Sequence, residues 1–187
     1  MKRSTIGLLV VAALVLILVF SGVGSYNRLV SSETTVENKF STIDIQLQRR
    51  ADLIPNLVST VKGYAAHEKE VLTAISDARA RLAGAGTPED KAAADAELTG
   101  ALSRLLVVVE NYPNLKADAQ FRQLMDELSG TENRIAVARK DYNDAVTDYN
   151  TRIRKFPAAV FAGMFGFEKK PFFQAKEGAE KVPEVNF

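Results

Sequence analysis

Cysteine and tryptophan are absent from the 187-residue sequence, and histidine occurs once, as His67. Without cysteine there is no disulfide and no thiolate metal site, although the compartment stays open because many secreted proteins also lack it. With one imidazole, a two-histidine zinc motif cannot form. In HEKE, the position four residues after His67 is Val71, so no second ring reaches the same helical face, and His67 reads as a surface or rim residue. A Ser-His-Asp set is unreadable for the same reason, and G-x-S-x-G is missing. GAGTPEDK lacks the G-K-S/T ending of a phosphate loop. Charge of one sign is also scarce. The formal net charge is +1, with no long basic run to meet nucleic acid. Strand-like alternation of useful length does not occur. These absences leave no catalytic residue, no metal and no cofactor to name, and the expectation is a non-enzymatic, all-α protein.

One long apolar run is present. After Lys2 and Arg3, no charged residue occurs from Ser4 to Asn27. At about 1.5 Å per residue that run spans roughly 36 Å, enough for a hydrocarbon core of about 30 Å. The expected order is a short cytoplasmic tail over 1–5, a transmembrane helix over 6–24, a helical bundle over 27–156 and a tail over 157–187. Lys2 and Arg3 favour a cytoplasmic N-terminus, which places the bundle outside. A cleaved signal peptide is the rival, but no A-x-A stands near SGVGS.

Beyond the run, apolar spacing is helical. Val36, Phe40, Ile43 and Leu47 make one stripe, on a helix from about Asn27 to Arg50. Leu57, Val61, Tyr64, Val71, Ile75, Ala78 and Leu82 make a second. Thr87 and Pro88 fit the N-cap and first position of a third helix reaching about Glu110. Pro113 in NYPNLK ends it. Phe121, Leu128, Ile135, Tyr142, Tyr149 and Phe156 then recur every seven residues on a fourth helix, from about Asp118 to Lys155. Gly130 within it permits a local irregularity.

Pro55 has two readings. A proline deep inside a helix costs about 3 kcal/mol. That cost vanishes if Asp52 caps a new helix, with Pro55 in its first turn. The corner is the preferred reading and gives an up-and-down four-helix bundle of long helices. A single kinked helix is the alternative. It explains why Val36, Ile43, Arg50, Leu57 and Tyr64 keep one seven-residue phase through the proline.

Three reversals return the fourth helix toward the membrane, where it delivers an irregular Phe-rich tail. Of ten phenylalanines, Phe156, Phe161, Phe165, Phe167, Phe172, Phe173 and Phe187 lie there. The tail has three candidate roles: lying in the membrane interface, packing on the bundle, or meeting a partner. Arg50, Glu68, Glu132 and Arg139 occupy seam positions, where a charge is costly unless paired. They are expected either to form register-fixing ion pairs or to lie solvated beyond the packed region. Tyr64, Tyr112, Tyr142 and Tyr149 read as core aromatics, and Asn143 and Asn150 as donors to a neighbouring helix or partner. Asp141, Asp144 and Asp148 read as a solvated acidic face, with divalent-ion binding the weaker alternative.

QLQRRADLIPNLVSTVKGYAAHE, then LLVVVENYPNLKADAQFRQLMDELSGTENRIAVARKDYNDAVTDYNTRIRKFP, and finally KPFF and VPEVNF together resemble the LemA family of bacterial membrane proteins over nearly the whole chain. The resemblance implies one transmembrane helix in the cytoplasmic membrane and an extracytoplasmic helical bundle, with no established enzymatic activity. It further implies a scaffold or adaptor role in the envelope, or that of an accessory partner of a membrane-associated protease. The expected partners are the lipid bilayer through residues 6–24 and other membrane or envelope proteins. A second copy of the chain is a further candidate.

Overall fold

The apolar run folds into the first part of α1 (Arg3–Tyr64), a single helix of 62 residues in a computed structural model that describes residues 3–174. α1 is long and apolar enough to cross a membrane. It is followed by α2 (Lys69–Gly84), α3 (Pro88–Val109), the short α4 (Pro113–Ala117), α5 (Ala119–Arg152) and α6 (Ala158–Phe165). No strand occurs among the described residues. Of these residues, 3–39 and 143–170 form one compact unit, while 40–142 and 171–174 form the other. α1 and α5 supply residues to both.

The second unit is the bundle. Asp44 pairs with Lys91 and Arg50 with Asp95, so α1 and α3 run the same way. Phe40 meets Tyr142 and Gln46 meets Arg134, so α5 runs against α1. α2 descends from the reversal at 65–68, and Arg81 pairs it with Glu97 of α3. The order is therefore up-down-up-down, as the sequence suggests. Ile43, Leu57, Val61, Ile75, Leu98, Leu105 and Ile135 are all buried and supply the apolar core. Each large aliphatic side chain so covered contributes about 1.5–3 kcal/mol.

The helix ends follow local chemistry. Thr87 caps α3 by accepting from the Asp90 amide at 3.1 Å, with Pro88 in the first turn. α3 ends before Pro113, which opens α4, and Tyr112 takes φ −124° and ψ 76°, outside the helical region. Asp118 caps α5 by accepting from the Phe121 amide at 2.8 Å. α5 passes through Gly130 without interruption.

The corner expected at Asp52 is not there. α1 continues through Pro55 to Tyr64, as in the single-helix alternative, and the chain reverses at 65–68 instead. Asp52 is no cap. Its Oδ1 accepts from Gln48 Nε2 at 2.8 Å on the exposed face of the same helix. Pro55 removes the amide that would serve the carbonyl four residues back, on buried Ala51. Arg79 of α2 supplies the missing donor, its Nε lying 2.8 Å from Ala51 O. A distant side chain thus offsets the local defect that made the corner attractive.

Phe156 also departs from expectation. Its heptad phase is correct, but α5 ends at Arg152 and Phe156 is 85% exposed. The expected irregular tail holds a short helix, α6, closed by Gly166 at φ 75°. That left-handed turn suits glycine and lets the Phe167 amide donate to Ala162 O at 3.0 Å. The VPEVNF closing and Phe187 lie outside the described residues.

Candidate functional site

In the bundle unit the most unusual feature is a buried charge cluster. Arg50 of α1 is only 4% exposed and Asp95 of α3 only 2%. Arg50 Nη1 lies 2.6 Å from Asp95 Oδ1 and 2.7 Å from Glu132 Oε2 of α5. Nη2 donates to Thr99 Oγ1 at 3.0 Å, and the Thr99 hydroxyl in turn donates to Asp95 O. Arg139 of α5 stands 3.9 Å from Asp95 Oδ2, at the cluster's margin. Arg50 Nε has no acceptor among the described residues. Burial pushes the Asp95 carboxyl above the usual carboxylate range; the nearby Arg50 guanidinium opposes this without overcoming it. Three helices thereby meet at one guanidinium.

Of the four seam charges, Arg50, Glu132 and Arg139 come together and Glu68 does not. Glu68 precedes α2 at the reversal, where its carboxylate accepts from the Tyr112 hydroxyl at 2.8 Å. Beside it in sequence, Tyr64 donates to Asp118 Oδ2 at 3.0 Å. These hydrogen bonds raise both tyrosine pKa values, while the Phe121 amide, then Tyr64, lowers that of Asp118. The sequence reading missed Asp95, Thr99 and Arg79. Asp95 was findable, since it sits three residues before Leu98 on the apolar stripe of α3, where an acid needs a buried partner.

The KPFF stretch is held within each unit. In the bundle unit the Tyr142 hydroxyl donates to Pro171 O at 2.9 Å. The Arg139 guanidinium lies 5.2 Å from the Phe173 ring centre, and Phe173 is 1% exposed. Burial and, secondarily, Glu89 push Tyr142 up to about 12. In the other unit Asn150 grips the main chain of Lys170, donating to its carbonyl and accepting from its amide, each at 2.9 Å. Lys170 Nζ pairs with Glu33 at 2.6 Å and lies 5.9 Å from the Tyr149 ring centre. The Tyr149 hydroxyl is buried without a hydrogen-bond partner among the described residues; burial, then Glu33 and Glu168, push it up to about 12. Tyr142 and Tyr149 are buried while Tyr64 is 45% exposed, and Tyr142 and Asn150 hydrogen-bond the main chain of the tail. Phe172 is 38% exposed. Asn143 makes its carbonyl available to the Thr147 hydroxyl at 2.8 Å.

The same unit carries an apolar groove of about 620 Å³ where α6 lies beside α1, lined by Val19, Gly22, Tyr26, Val160, Phe161 and Phe165 among others. Phe161 packs against Gly22 so closely that a Cβ there would come within 2.9 Å of the ring. Tyr26 meets Phe165 and Phe167 edge-on, at 5.0 and 5.8 Å. Among the described residues, no three acidic or imidazole side chains gather as a metal group. Chemically, these arrangements pair charges, grip main chain and present apolar surface.

The sequence model of the LemA family matches residues 39–187. Two magnetosome proteins, MamQ 1 and MamQ 2 of Paramagnetospirillum magneticum, are each 31% identical to the chain. The match covers 83% of this chain and 66% of theirs, just under two thirds of their length. Protein LemA of Metamycoplasma hominis is 27% identical, over 84% of this chain and 73% of its own.

Proposed function

Because the chain belongs to the LemA family, we propose that it works as a membrane-anchored, non-enzymatic scaffold or adaptor of the cell envelope. α1 crosses the cytoplasmic membrane once with its N-terminus inside, and the bundle projects outside to contact other envelope proteins. One observation carries this reading. The apolar segment is the first part of the same helix that supplies Ile43, Arg50 and Leu57 to the bundle. Removing it would cut a continuous helix rather than a linker. Charge asymmetry at Lys2 and Arg3 supports the orientation, and the relatives' magnetosome name supports a membrane setting.

The test is crosslinking and mass spectrometry on the full chain in native membranes, through exposed Lys62 and Lys69. Reproducible links to the same envelope protein are expected, with the bundle digested by protease in spheroplasts. A bundle protected in spheroplasts but cut in inverted vesicles overturns the orientation. Release of the mature chain as a free soluble species overturns the anchor.

A further inference from the structure

α6 lies beside the end of the apolar run. Phe161 stands at the level of Gly22 and Phe165 at the level of Tyr26, so α6 runs the same way as α1. If the span begins after Lys2 and Arg3, about 20 residues cross the hydrocarbon. Gly22 and Phe161 then lie inside the apolar layer, and Tyr26 and Phe165 at its edge, where aromatic side chains concentrate. The outer face of α6 fits that position: Val160, Met164 and Phe165 are 56%, 69% and 54% exposed. So much bare apolar surface on an eight-residue helix is unfavourable in water.

Cations surround this helix. From residue 4 to 32 and from 149 to 167 the only charged residues are Arg28, Arg152, Arg154 and Lys155. All four are exposed, and none has an acidic partner among the described residues. Arg28, Arg152 and Lys155 line a second groove, of about 440 Å³, together with Phe20, Phe156 and Ala158. One wall of that groove is basic and another apolar, the division found within a single phospholipid between headgroup and chain.

We propose that α6 and the preceding turn form a second membrane contact, and that the groove takes an anionic phospholipid of the leaflet that α1 leaves. The phosphate sits against Arg28, Arg152 and Lys155, while the acyl chains lie along Phe20, Phe156 and Ala158. Continuity with the α1 span and the one-signed charge select lipid over a protein helix as the occupant. Each cation near an anionic leaflet enriches such lipid by up to about fivefold.

This inference rests on the membrane anchor, and the test separates the two. The chain has no tryptophan, so Val160→Trp in the full-length protein provides a single emitter, with Val107→Trp, at a position 72% exposed on α3, as the aqueous control. Both are reconstituted into vesicles of phosphatidylcholine, or of phosphatidylcholine and phosphatidylglycerol in equal parts, with one lipid brominated on its acyl chains. Emission from position 160 is expected to be blue-shifted and quenched several-fold more than that from position 107. Brominated phosphatidylglycerol is expected to quench about two- to fivefold better than brominated phosphatidylcholine. That preference disappears in R28Q/R152Q/K155Q while the depth of quenching persists. Equal quenching at positions 160 and 107, with the protein resisting carbonate extraction, overturns the α6 contact and leaves the anchor standing. Equal quenching by the two lipids overturns the headgroup site. Carbonate extraction of the protein itself defeats the anchor, and this inference with it.

Discussion

The two units invert each other. The bundle unit places charges inside, with Arg50 and Asp95 nearly inaccessible. The other unit places apolar side chains outside, with Leu14 at 55%, Phe20 at 74% and Met164 at 69% exposure. In water the first arrangement requires a closed ring of partners and the second requires a cover. The bundle supplies partners from three helices, with Arg50 Nε and Glu132 Oε2 left without a hydrogen bond among the described residues. The other unit's bare surface fits the proposed bilayer surroundings, where apolar exposure costs nothing and charge is expensive.

Substitutions test this contrast, beginning with the largest expected effect. Asp95→Leu removes one partner of a buried pair and is expected to cost about 3–5 kcal/mol, measured by denaturation of the full chain in detergent. Adding Arg50→Met should restore most of the loss; a single variant as mild as a surface change would show that the cluster is solvated. Leu14→Arg is expected to disfavour insertion by about 2.5–3.5 kcal/mol, read as the fraction resisting carbonate. Val107→Arg, at a still more exposed apolar position of the bundle, should shift stability by less than about 0.5 kcal/mol. If the two arginines act alike, the units share one solvent.

Arg79→Ala strands the Ala51 carbonyl and is expected to cost about 1–3 kcal/mol. In a Pro55→Ala background, residue 55 regains an amide for that carbonyl, so the same substitution should cost clearly less. A double-mutant cycle with no coupling would dissociate the arginine from the proline. The smallest effect is on pH dependence. Burial holds the Asp95 carboxyl above 3.8, so the folded chain keeps that proton to higher pH than the unfolded chain. The contribution of Asp95 is then present at acid pH and lost as pH rises through the raised value. Relative to Asp95→Asn, the natural chain is expected to lose stability over the window just above the ordinary carboxylate range. A gain there would mean that Arg50 outweighs burial.

Much of the fold is legible because its determinants are local. Charge-free residues 4–27, the Thr87–Pro88 cap and the break at Pro113 each depend on neighbours within a few positions. Seam spacing likewise marks Arg50, Glu68, Glu132 and Arg139 as charges that either pair or lie solvated. The rest depends on encounters that spacing does not encode. The proline at 55 signals a lost hydrogen bond, but the substitute comes from Arg79 on another helix. Glu68 has the right phase for the cluster, yet the reversal at 65–68 takes it to Tyr112. Phe156 has the phase of a core residue on a helix that has already ended.

The bond from Arg79 to the Ala51 carbonyl has a consequence for how the protein is made. Residues 51–55 emerge from the ribosome before position 79 does. Until then that carbonyl has only water, and α1 carries a weak point at Pro55. The helix becomes complete only when the growing chain turns back on itself, so the weak point marks when its second helix has arrived.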